Sequence, residues 1–225
     1  MAEPWYHIAK TVALPPLHGW FRLRYEDLDT IPAEGAAIVA CNHLSYLDPL
    51  TNADAVVRAG RRPRFLAKDD LFKIPVIGTV LRGANQIPVH RGTGGDAPLR
   101  RALKALTEGE CVVIYPEGTV TRRPDHLPME GKTGAVRLSL ASGVPITPLA
   151  SWGSQAVWQK SGRGSLRFGR PVWSKVGPAF DVTARAAELE DHEAVKAMTA
   201  ELMAALRSVV VDLRARYPER WATEG

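Results

Sequence analysis

A histidine and a carboxylate lie five residues apart in segment 42–48 (NHLSYLD). If the chain turns into a helix after His43, the carboxylate of Asp48 can return to the imidazole, accept its N–H and fix the tautomer. The other ring nitrogen is then available to take a proton from an alcohol. Because a single histidine is more often a structural residue, the pair alone leaves both roles open.

An arginine follows the short apolar run in segment 83–91 (GANQIPVHR). A guanidinium is well suited to binding a phosphate through two oxygens at once. Arg91 is therefore a candidate phosphate ligand. The alternative is a solvated loop cation with no ligand.

Segment 115–119 (YPEGT) follows the most apolar run of the chain and carries three further candidates. Gly118 lets the backbone approach a ligand closely, after Pro116 has ended the strand. Glu117 and Thr119 carry oxygen atoms that can bond to substrate hydroxyls or orient cations. The segment is thus a candidate substrate-binding loop.

Lys132 lies in segment 131–134 (GKTG), at the start of a predicted helix. An ammonium group and the free backbone N–H groups of a helix N-terminus together suit an anion. The glycine spacing of a nucleotide-binding Walker loop is absent, and the Gly-x-Gly pairs elsewhere lack the strand-to-helix context of a nucleotide fold. We therefore predict an anion contact at Lys132 and no nucleotide cofactor.

The elements that must position these residues follow from an alternation of short apolar runs with helical patterns. Strands are predicted at 36–41, 65–67, 86–89, 112–115 and 146–149, with a late, partly exposed strand at 165–172. Helices are predicted at 49–59, 98–107 and 134–141, with Gly60, Gly109 and Gly143 as C-caps. The alternation predicts an α/β fold with a mixed, largely parallel sheet flanked by helices in a single domain.

The last predicted element is a long amphipathic helix. Its apolar residues recur at helical spacing after Asp191, a candidate N-cap, and Pro218 ends the pattern. We expect this helix to pack on the core; a membrane or partner role is the alternative.

Residues 1–30 concentrate aromatic and apolar side chains beside Lys10, Arg22 and Arg24. Such a mixture suits the interfacial zone of a bilayer, so we predict a membrane-association segment at 1–30 and a catalytic domain at 31–225. Packing of this segment on the domain is the alternative. The uncharged stretches 11–21 and 138–159 are too short or contain too many prolines to span a bilayer, which predicts peripheral attachment.

Composition restricts the partners and the location. The 29 basic and 24 acidic side chains give a net charge of +5, which favours anionic partners such as phospholipid headgroups or nucleic acid. The arginine pairs are scattered between elements instead of lining one stripe, so we predict no nucleic-acid partner. Two cysteines are too few for a disulfide scaffold or a four-cysteine metal site, and they fit a reducing, cytoplasmic setting.

Four blocks resemble, in order, the motifs of the glycerolipid acyltransferase family, which includes the 1-acylglycerol-3-phosphate acyltransferases. They are the Asn-His-x4-Asp of 42–48, the Gly…Ile-x-Val-x-Arg of 83–91, the Pro-Glu-Gly-Thr of 116–119 and the Val-Pro-Ile-x-Pro of 144–148. The resemblance covers about residues 35 to 150. After Thr119 the chain continues with Val-Thr-Arg-Arg, whereas family members often continue with Arg-Ser.

The resemblance implies a mixed sheet flanked by helices, and transfer of an acyl group from acyl-CoA or acyl-carrier protein to an acceptor that is usually lysophosphatidic acid. A different lysolipid acceptor is the alternative. It implies that His43 and Asp48 are the catalytic dyad and that Arg91 binds the phosphate. Glu117, Gly118 and Thr119 would bind the acceptor, with Lys132 as a further phosphate candidate. Such a reaction needs no metal and no cofactor, and it would take place at the cytoplasmic face of the membrane.

Two other functions compete with acyl transfer. A hydrolase of lipid esters or thioesters is disfavoured because no Gly-x-Ser-x-Gly segment occurs and both cysteines lie inside apolar runs. A basic binding module without catalysis is disfavoured by the absence of a recognised nucleic-acid motif. Both functions remain open at the level of the sequence.

Overall fold

The structure, a computed structural model, describes residues 4–89, 97–159 and 161–222. The strands are β1 Arg22–Glu26, β2 Ala37–Cys41, β3 Pro63–Lys68, β4 Ile87–Val89, β5 Cys111–Ile114, β6 Ile146–Trp152 and β7 Pro171–Val176. The α-helices are α1 Pro4–Trp20, α2 Asp48–Arg58, α3 Asp69–Lys73, α4 Ile77–Gly83, α5 Ala97–Thr107, α6 Gly134–Ser142, α7 His192–Arg216 and α8 Glu219–Ala222. The predicted strands and helices of the central region are confirmed to within three residues at each end.

The seven strands form one sheet in the order β1-β7-β6-β2-β5-β3-β4. Strands β6, β2, β5, β3 and β4 run parallel to one another. Strand β7 is antiparallel to β6, and β1 runs parallel to β7. The mixed, largely parallel α/β sheet predicted from the sequence is therefore confirmed.

The central strands bury side chains on both faces of the sheet. Along β2, Ile38 and Ala40 pack in a cluster with residues of α5, α6 and α7. Val39 and Cys41 point to the opposite face and pack with Ala55 of α2. Because neighbouring residues of a strand point to opposite faces, this pattern requires apolar residues at every position, as the sequence has them.

Helix α7 extends over 25 residues and packs along β6. Asp191 is its N-cap: the carboxylate Oδ1 accepts the backbone N–H groups of Glu193 and Ala194, each at 3.0 Å. Nine of its side chains are buried, so the predicted long helix is confirmed and it is docked on the core.

The strand predicted at 165–172 is wrong, because the last strand begins only at Pro171. The residues before it form a loop in which Gly164 and Gly169 have φ angles of +147° and +74°. These backbone conformations suit glycine and are incompatible with a regular strand. Strand β1 and the short helices α3 and α4 were not predicted from the sequence.

Helix α1 is packed on the domain at its C-terminal half. Leu14, Leu17 and Phe21 are buried against Leu47 and Val157. In the described part of the chain, no helix combines the length and the apolar character that crossing a bilayer requires. The structure thus shows the end of this segment packed on the domain, which was the alternative to membrane association. Its contact with a membrane stays a prediction.

Candidate active site

Three adjacent parallel strands, β6, β2 and β5, end at the same edge of the sheet. His43 follows β2, segment 115–119 follows β5, and Ser154 follows β6. Ligands of α/β proteins bind at the carboxyl ends of such strands. The strand order therefore gathers candidates that lie far apart in sequence.

His43 and Asp48 form the predicted pair. The imidazole Nδ1 of His43 lies 3.0 Å from Oδ2 of Asp48. The carboxylate is fully buried, whereas the histidine side chain keeps 14% of its surface exposed. This contact favours the tautomer with its proton on Nδ1, which leaves the lone pair of Nε2 to accept a proton from a substrate.

The orientation of Asp48 is fixed by three further hydrogen bonds. Its Oδ2 accepts the backbone N–H groups of Leu44 at 2.5 Å and Ser45 at 2.8 Å. Its other oxygen, Oδ1, accepts the hydroxyl of Ser154 at 2.5 Å. Ser154 is fully buried and was missed from the sequence, because it is 106 residues away from Asp48 and carries no motif of its own.

The loop that carries His43 is held from both sides. Asn42 forms two hydrogen bonds with the backbone of Ser151 in β6: its Nδ2 donates to the carbonyl at 3.1 Å, and its Oδ1 accepts the N–H at 2.7 Å. The ring of Tyr115 stacks on the imidazole of His43 with 4.2 Å between ring centroids. The Tyr115 hydroxyl accepts a hydrogen bond from Asn52, and burial raises its pKa well above the ordinary value.

Glu117 is buried and bonds to the protein backbone. Its Oε1 accepts the N–H of His43 at 2.8 Å, and its Oε2 accepts the N–H of Met129 at 3.0 Å. Burial raises the pKa of this carboxyl group, although the two backbone N–H groups act in the opposite direction. In this structure Glu117 thus ties the histidine loop to segment 117–129; its predicted contact with the acceptor stays a prediction.

Gly118 and Lys132 lie against each other. Gly118 has a φ of +67°, and a Cβ added there would lie 3.1 Å from Cε and 3.2 Å from Nζ of Lys132. The backbone N–H of Lys132 donates to the carbonyl of Pro116 at 2.8 Å. The ammonium group therefore lies beside the 115–119 loop, which includes Thr119. This loop is at the same edge of the sheet as His43.

Arg91 lies outside the described residues, so its role as a phosphate ligand stays a prediction. Of the two arginines that follow Thr119, Arg123 forms an ion pair with Asp125, with Nη2 and Oδ2 2.6 Å apart. Lys68 forms an ion pair with Asp70 at the end of β3. Lys132, by contrast, lies against Gly118 in the candidate site.

The geometry supports a general base with a fixed tautomer. The buried carboxylate of Asp48 contacts Nδ1 of His43 and accepts three other hydrogen bonds that fix its position. The exposed part of the ring can meet a substrate hydroxyl. A cation lies nearby to balance an anionic substrate. This arrangement can activate an alcohol for attack on an acyl group.

Residues 22–152, more than half of the chain, match the protein family described as Acyltransferase. A 1-acyl-sn-glycerol-3-phosphate acyltransferase of Bacillus subtilis (strain 168) is 30% identical over 146 residues, which are 64% of this chain and 70% of that protein. The chain belongs to the acyltransferase family. The predicted family is thereby confirmed, and the protein is an acyltransferase.

Two further proteins that differ in length from this acyltransferase are also similar to it. The chloroplastic 1-acyl-sn-glycerol-3-phosphate acyltransferase LPAT1 of Arabidopsis thaliana is 27% identical over 167 residues, and the chain covers 45% of that protein. The crystal structure of the 1-acyl-sn-glycerophosphate (LPA) acyltransferase PlsC from Thermotoga maritima superimposes with a TM-score of 0.65 at 25% identity. That match covers 96% of this chain and 80% of the other. The fold is therefore shared over nearly the whole acyltransferase chain.

Proposed function

We propose that this acyltransferase moves a fatty acyl group from a thioester to the hydroxyl of 1-acylglycerol-3-phosphate, which gives phosphatidic acid. The observation that carries the proposal is the 3.0 Å contact between Nδ1 of His43 and Oδ2 of Asp48, at the strand edge where Lys132 also lies. The relatives in Bacillus subtilis and Arabidopsis thaliana are 1-acyl-sn-glycerol-3-phosphate acyltransferases by name, which supports the choice of acceptor.

In the proposed reaction, Nε2 of His43 removes the proton from the acceptor hydroxyl as its oxygen attacks the thioester carbonyl. The tetrahedral intermediate then collapses, the carbon–sulfur bond breaks, and the proton passes from His43 to the departing thiolate. Asp48 holds the ring and stabilises the imidazolium between these two steps. The products are the new ester and a free thiol.

The donor is proposed to be acyl-CoA or acyl-carrier protein, and no cofactor or metal is required. Arg91 and Lys132 are proposed to bind the acceptor phosphate, because cations satisfy its charge. Glu117, Gly118 and Thr119 are proposed to form the adjoining wall of the acceptor site. Residues 1–30 are proposed to hold the enzyme at an anionic membrane surface on its cytoplasmic face.

The experiment is an acyl-transfer assay on purified protein. Acyl-CoA and acyl-carrier protein are each combined with lysophosphatidic acid, glycerol 3-phosphate and a lysolipid without a terminal phosphate. Thiol release and the lipid product are both measured. We expect wild type to form phosphatidic acid, and His43→Ala to be slower by about two to four orders of magnitude, because the general base is lost.

His192→Ala is the matched control, since His192 is an exposed histidine at the start of α7, and it should retain the wild-type rate. Free fatty acid released without any alcohol would show a hydrolase instead. A His43→Ala variant as fast as wild type would refute the proposed role of the imidazole.

A further inference from the structure

Four large apolar side chains are exposed around the end of α1 and the loop between β6 and β7. Leu166 and Phe168 are each 68% exposed, Trp158 is 55% exposed and Trp20 is 46% exposed. The rings of Trp20 and Phe168 are in edge-to-face contact with centroids 5.7 Å apart. Together with Arg22 and Arg167, these residues are called the aromatic–basic face.

The backbone of this loop is fixed although its side chains are exposed. The indole N–H of Trp20 donates to the carbonyl of Leu166 at 2.7 Å, and the N–H of Gly169 donates to the carbonyl of Trp20 at 2.8 Å. A Cβ at Gly164 would lie 2.1 Å from the carbonyl oxygen of Val157, so only glycine fits there. The fold thus holds apolar side chains in water, where they do not stabilise the core.

The charge of this part of the chain has one sign. Residues 156–170 contain four basic residues and no aspartate or glutamate: Lys160, Arg163, Arg167 and Arg170. Next to the exposed apolar side chains lies a shallow cavity of about 200 Å³. Its described lining consists of Arg22, Arg167 and Arg220 with Phe168, Gly169 and Trp221, and it includes no carboxylate. Such a cavity suits a phosphate group.

We propose that the aromatic–basic face docks on an anionic lipid bilayer. Its tryptophan, phenylalanine and leucine side chains enter the interfacial zone, and its arginines meet the phosphates of the headgroups. An isolated surface leucine or tryptophan needs no explanation, but four of them beside a cluster of arginines match the composition of membrane-binding surfaces. This contact is additional to the predicted role of residues 1–30, of which only Trp20 and Arg22 belong to the face.

The face adjoins the segment that carries the proposed catalytic pair. The carbonyl of Trp158 accepts hydrogen bonds from the hydroxyl of Ser45 at 2.8 Å and the N–H of Tyr46 at 3.1 Å, both within segment 42–48. The rings of Tyr46 and Trp158 also touch, with centroids 5.4 Å apart. Docking would therefore hold His43 at the surface in which a lipid acceptor lies. This inference rests on the proposed lipid acceptor.

The test is sedimentation of the full chain with vesicles of phosphatidylcholine containing phosphatidylglycerol, compared with vesicles of phosphatidylcholine alone. We expect wild type to bind the anionic vesicles more tightly, with binding that weakens as salt is added. The double variant Leu166→Ser/Phe168→Ser should bind about tenfold more weakly, because two apolar side chains no longer enter the bilayer. Arg167→Gln should bind about fivefold more weakly, because one charge near the surface is lost.

Val211→Ser and Lys196→Gln are the matched controls, since both residues are exposed on α7. They should bind as wild type does. Equal binding by wild type and the double variant would overturn the proposal, as would equal binding to anionic and neutral vesicles. Both outcomes are independent of whether the protein transfers acyl groups.

A second assay separates a bilayer from a protein partner. With acceptor dispersed in detergent micelles, the double variant should keep the wild-type rate, while its rate on acceptor embedded in vesicles should fall about tenfold. An equal loss in micelles when acyl-carrier protein is the donor would instead assign the face to that acidic protein and overturn the proposal. Absence of activity in wild type would refute the proposed function but leave the vesicle-binding result standing.

Discussion

At the scale of single residues, the proposed catalytic role of His43 and Asp48 depends on how firmly Asp48 is held. Four donors converge on its carboxylate, and the Ser154 hydroxyl is the only one of the four that comes from a distant segment. A carboxylate that could rotate would present its oxygen to His43 for only part of the time. Ser154 is thus predicted to be a positioning residue that acts through Asp48.

Ser154→Ala should lower kcat about tenfold and leave the KM of both substrates unchanged. Loss of one charge-assisted hydrogen bond is worth about 1.5 kcal/mol or more, and 1.4 kcal/mol corresponds to a factor of ten in rate. Steady-state kinetics of the purified variant measures kcat and KM separately.

Ser139→Ala provides the control for Ser154→Ala. Ser139 is also fully buried, and its hydroxyl donates to the carbonyl of Val144 at 2.6 Å within α6 and its C-terminal turn. Ser154→Ala should lose about 1.5 kcal/mol of unfolding free energy and Ser139→Ala about 1 kcal/mol. Only the Ser154 variant should lose kcat, and an equal loss in both would remove the positioning role.

Glu117 gives a prediction about pH. Because its pKa is raised in the folded state, the folded protein holds this proton to higher pH than the unfolded chain. The stability that this group contributes is therefore present below its ordinary pKa and is lost as pH rises through the folded value. We subtract the unfolding free energy of Glu117→Gln from that of wild type. This difference should fall from pH 4 toward pH 7, and chemical denaturation measures it.

That comparison needs the difference between the two proteins, because other carboxyl groups, such as Asp54, have lowered pKa values and give the opposite slope. A difference that stays constant or increases over this range would contradict the assignment. Asp181→Asn serves as a control, since hydrogen bonds from Thr183 lower the pKa of Asp181 at an exposed position, and its difference from wild type should not fall with rising pH.

At the scale of elements, the site depends on the strand ends. Residues after β2, β5 and β6 meet because these strands are neighbours, although β2 and β6 are separated by more than 100 residues of chain. Helix α7 packs along β6, on the strand that places Ser154. The stability of α7 therefore supports the strand that places Ser154 at the site.

Asp191→Ala should lower the unfolding free energy by about 1 kcal/mol, because two backbone N–H groups lose the carboxylate that caps them. Thermal or chemical denaturation measures the change. Glu201→Ala, at an exposed position within the same helix, should have nearly no effect. Equal effects of both substitutions would refute the capping role of Asp191.

At the scale of the whole molecule, Asp54 of α2 joins the N-terminal part of the chain to the domain. Its Oδ2 lies 2.8 Å from Nε2 of His18 in α1, 2.5 Å from the hydroxyl of Tyr25 in β1 and 2.9 Å from Nε of Arg58 in α2. Burial alone would raise the pKa of Asp54, but hydrogen bonds from Tyr25, Arg58 and His18 lower it. Burial and the neighbouring carboxylate raise the pKa of Tyr25.

Asp54→Asn should destabilise the fold by about 2 kcal/mol at pH 7, which is less than a fully buried pair would lose, because Arg58 and His18 can reach water. Because the pKa of Asp54 is lowered in the folded state, its contribution is present above pH 4 and is lost as pH falls through the folded value. The difference from wild type should shrink in acid, measured by denaturation at several pH values. A difference that grows as pH falls would contradict the cluster's role.

The sequence by itself determined the βα alternation, the long capped helix and the pairing of His43 with Asp48. These features depend on residues close together in the chain: apolar periodicity, a capping carboxylate, and a histidine five residues before an acid at the start of a helix. Local sterics and hydrogen bonding act over the same distances, so such patterns are readable without the fold.

Only the tertiary structure decided the strand order, the hydroxyl of Ser154 on Asp48 and the attachment of Glu117 to the backbone of His43. It also showed that the strand predicted at 165–172 is mostly a loop, in which Leu166 and Phe168 are exposed to solvent. These outcomes depend on which strands become neighbours when both faces of the sheet are buried. That choice is a property of the whole packed chain and is not contained in any short segment.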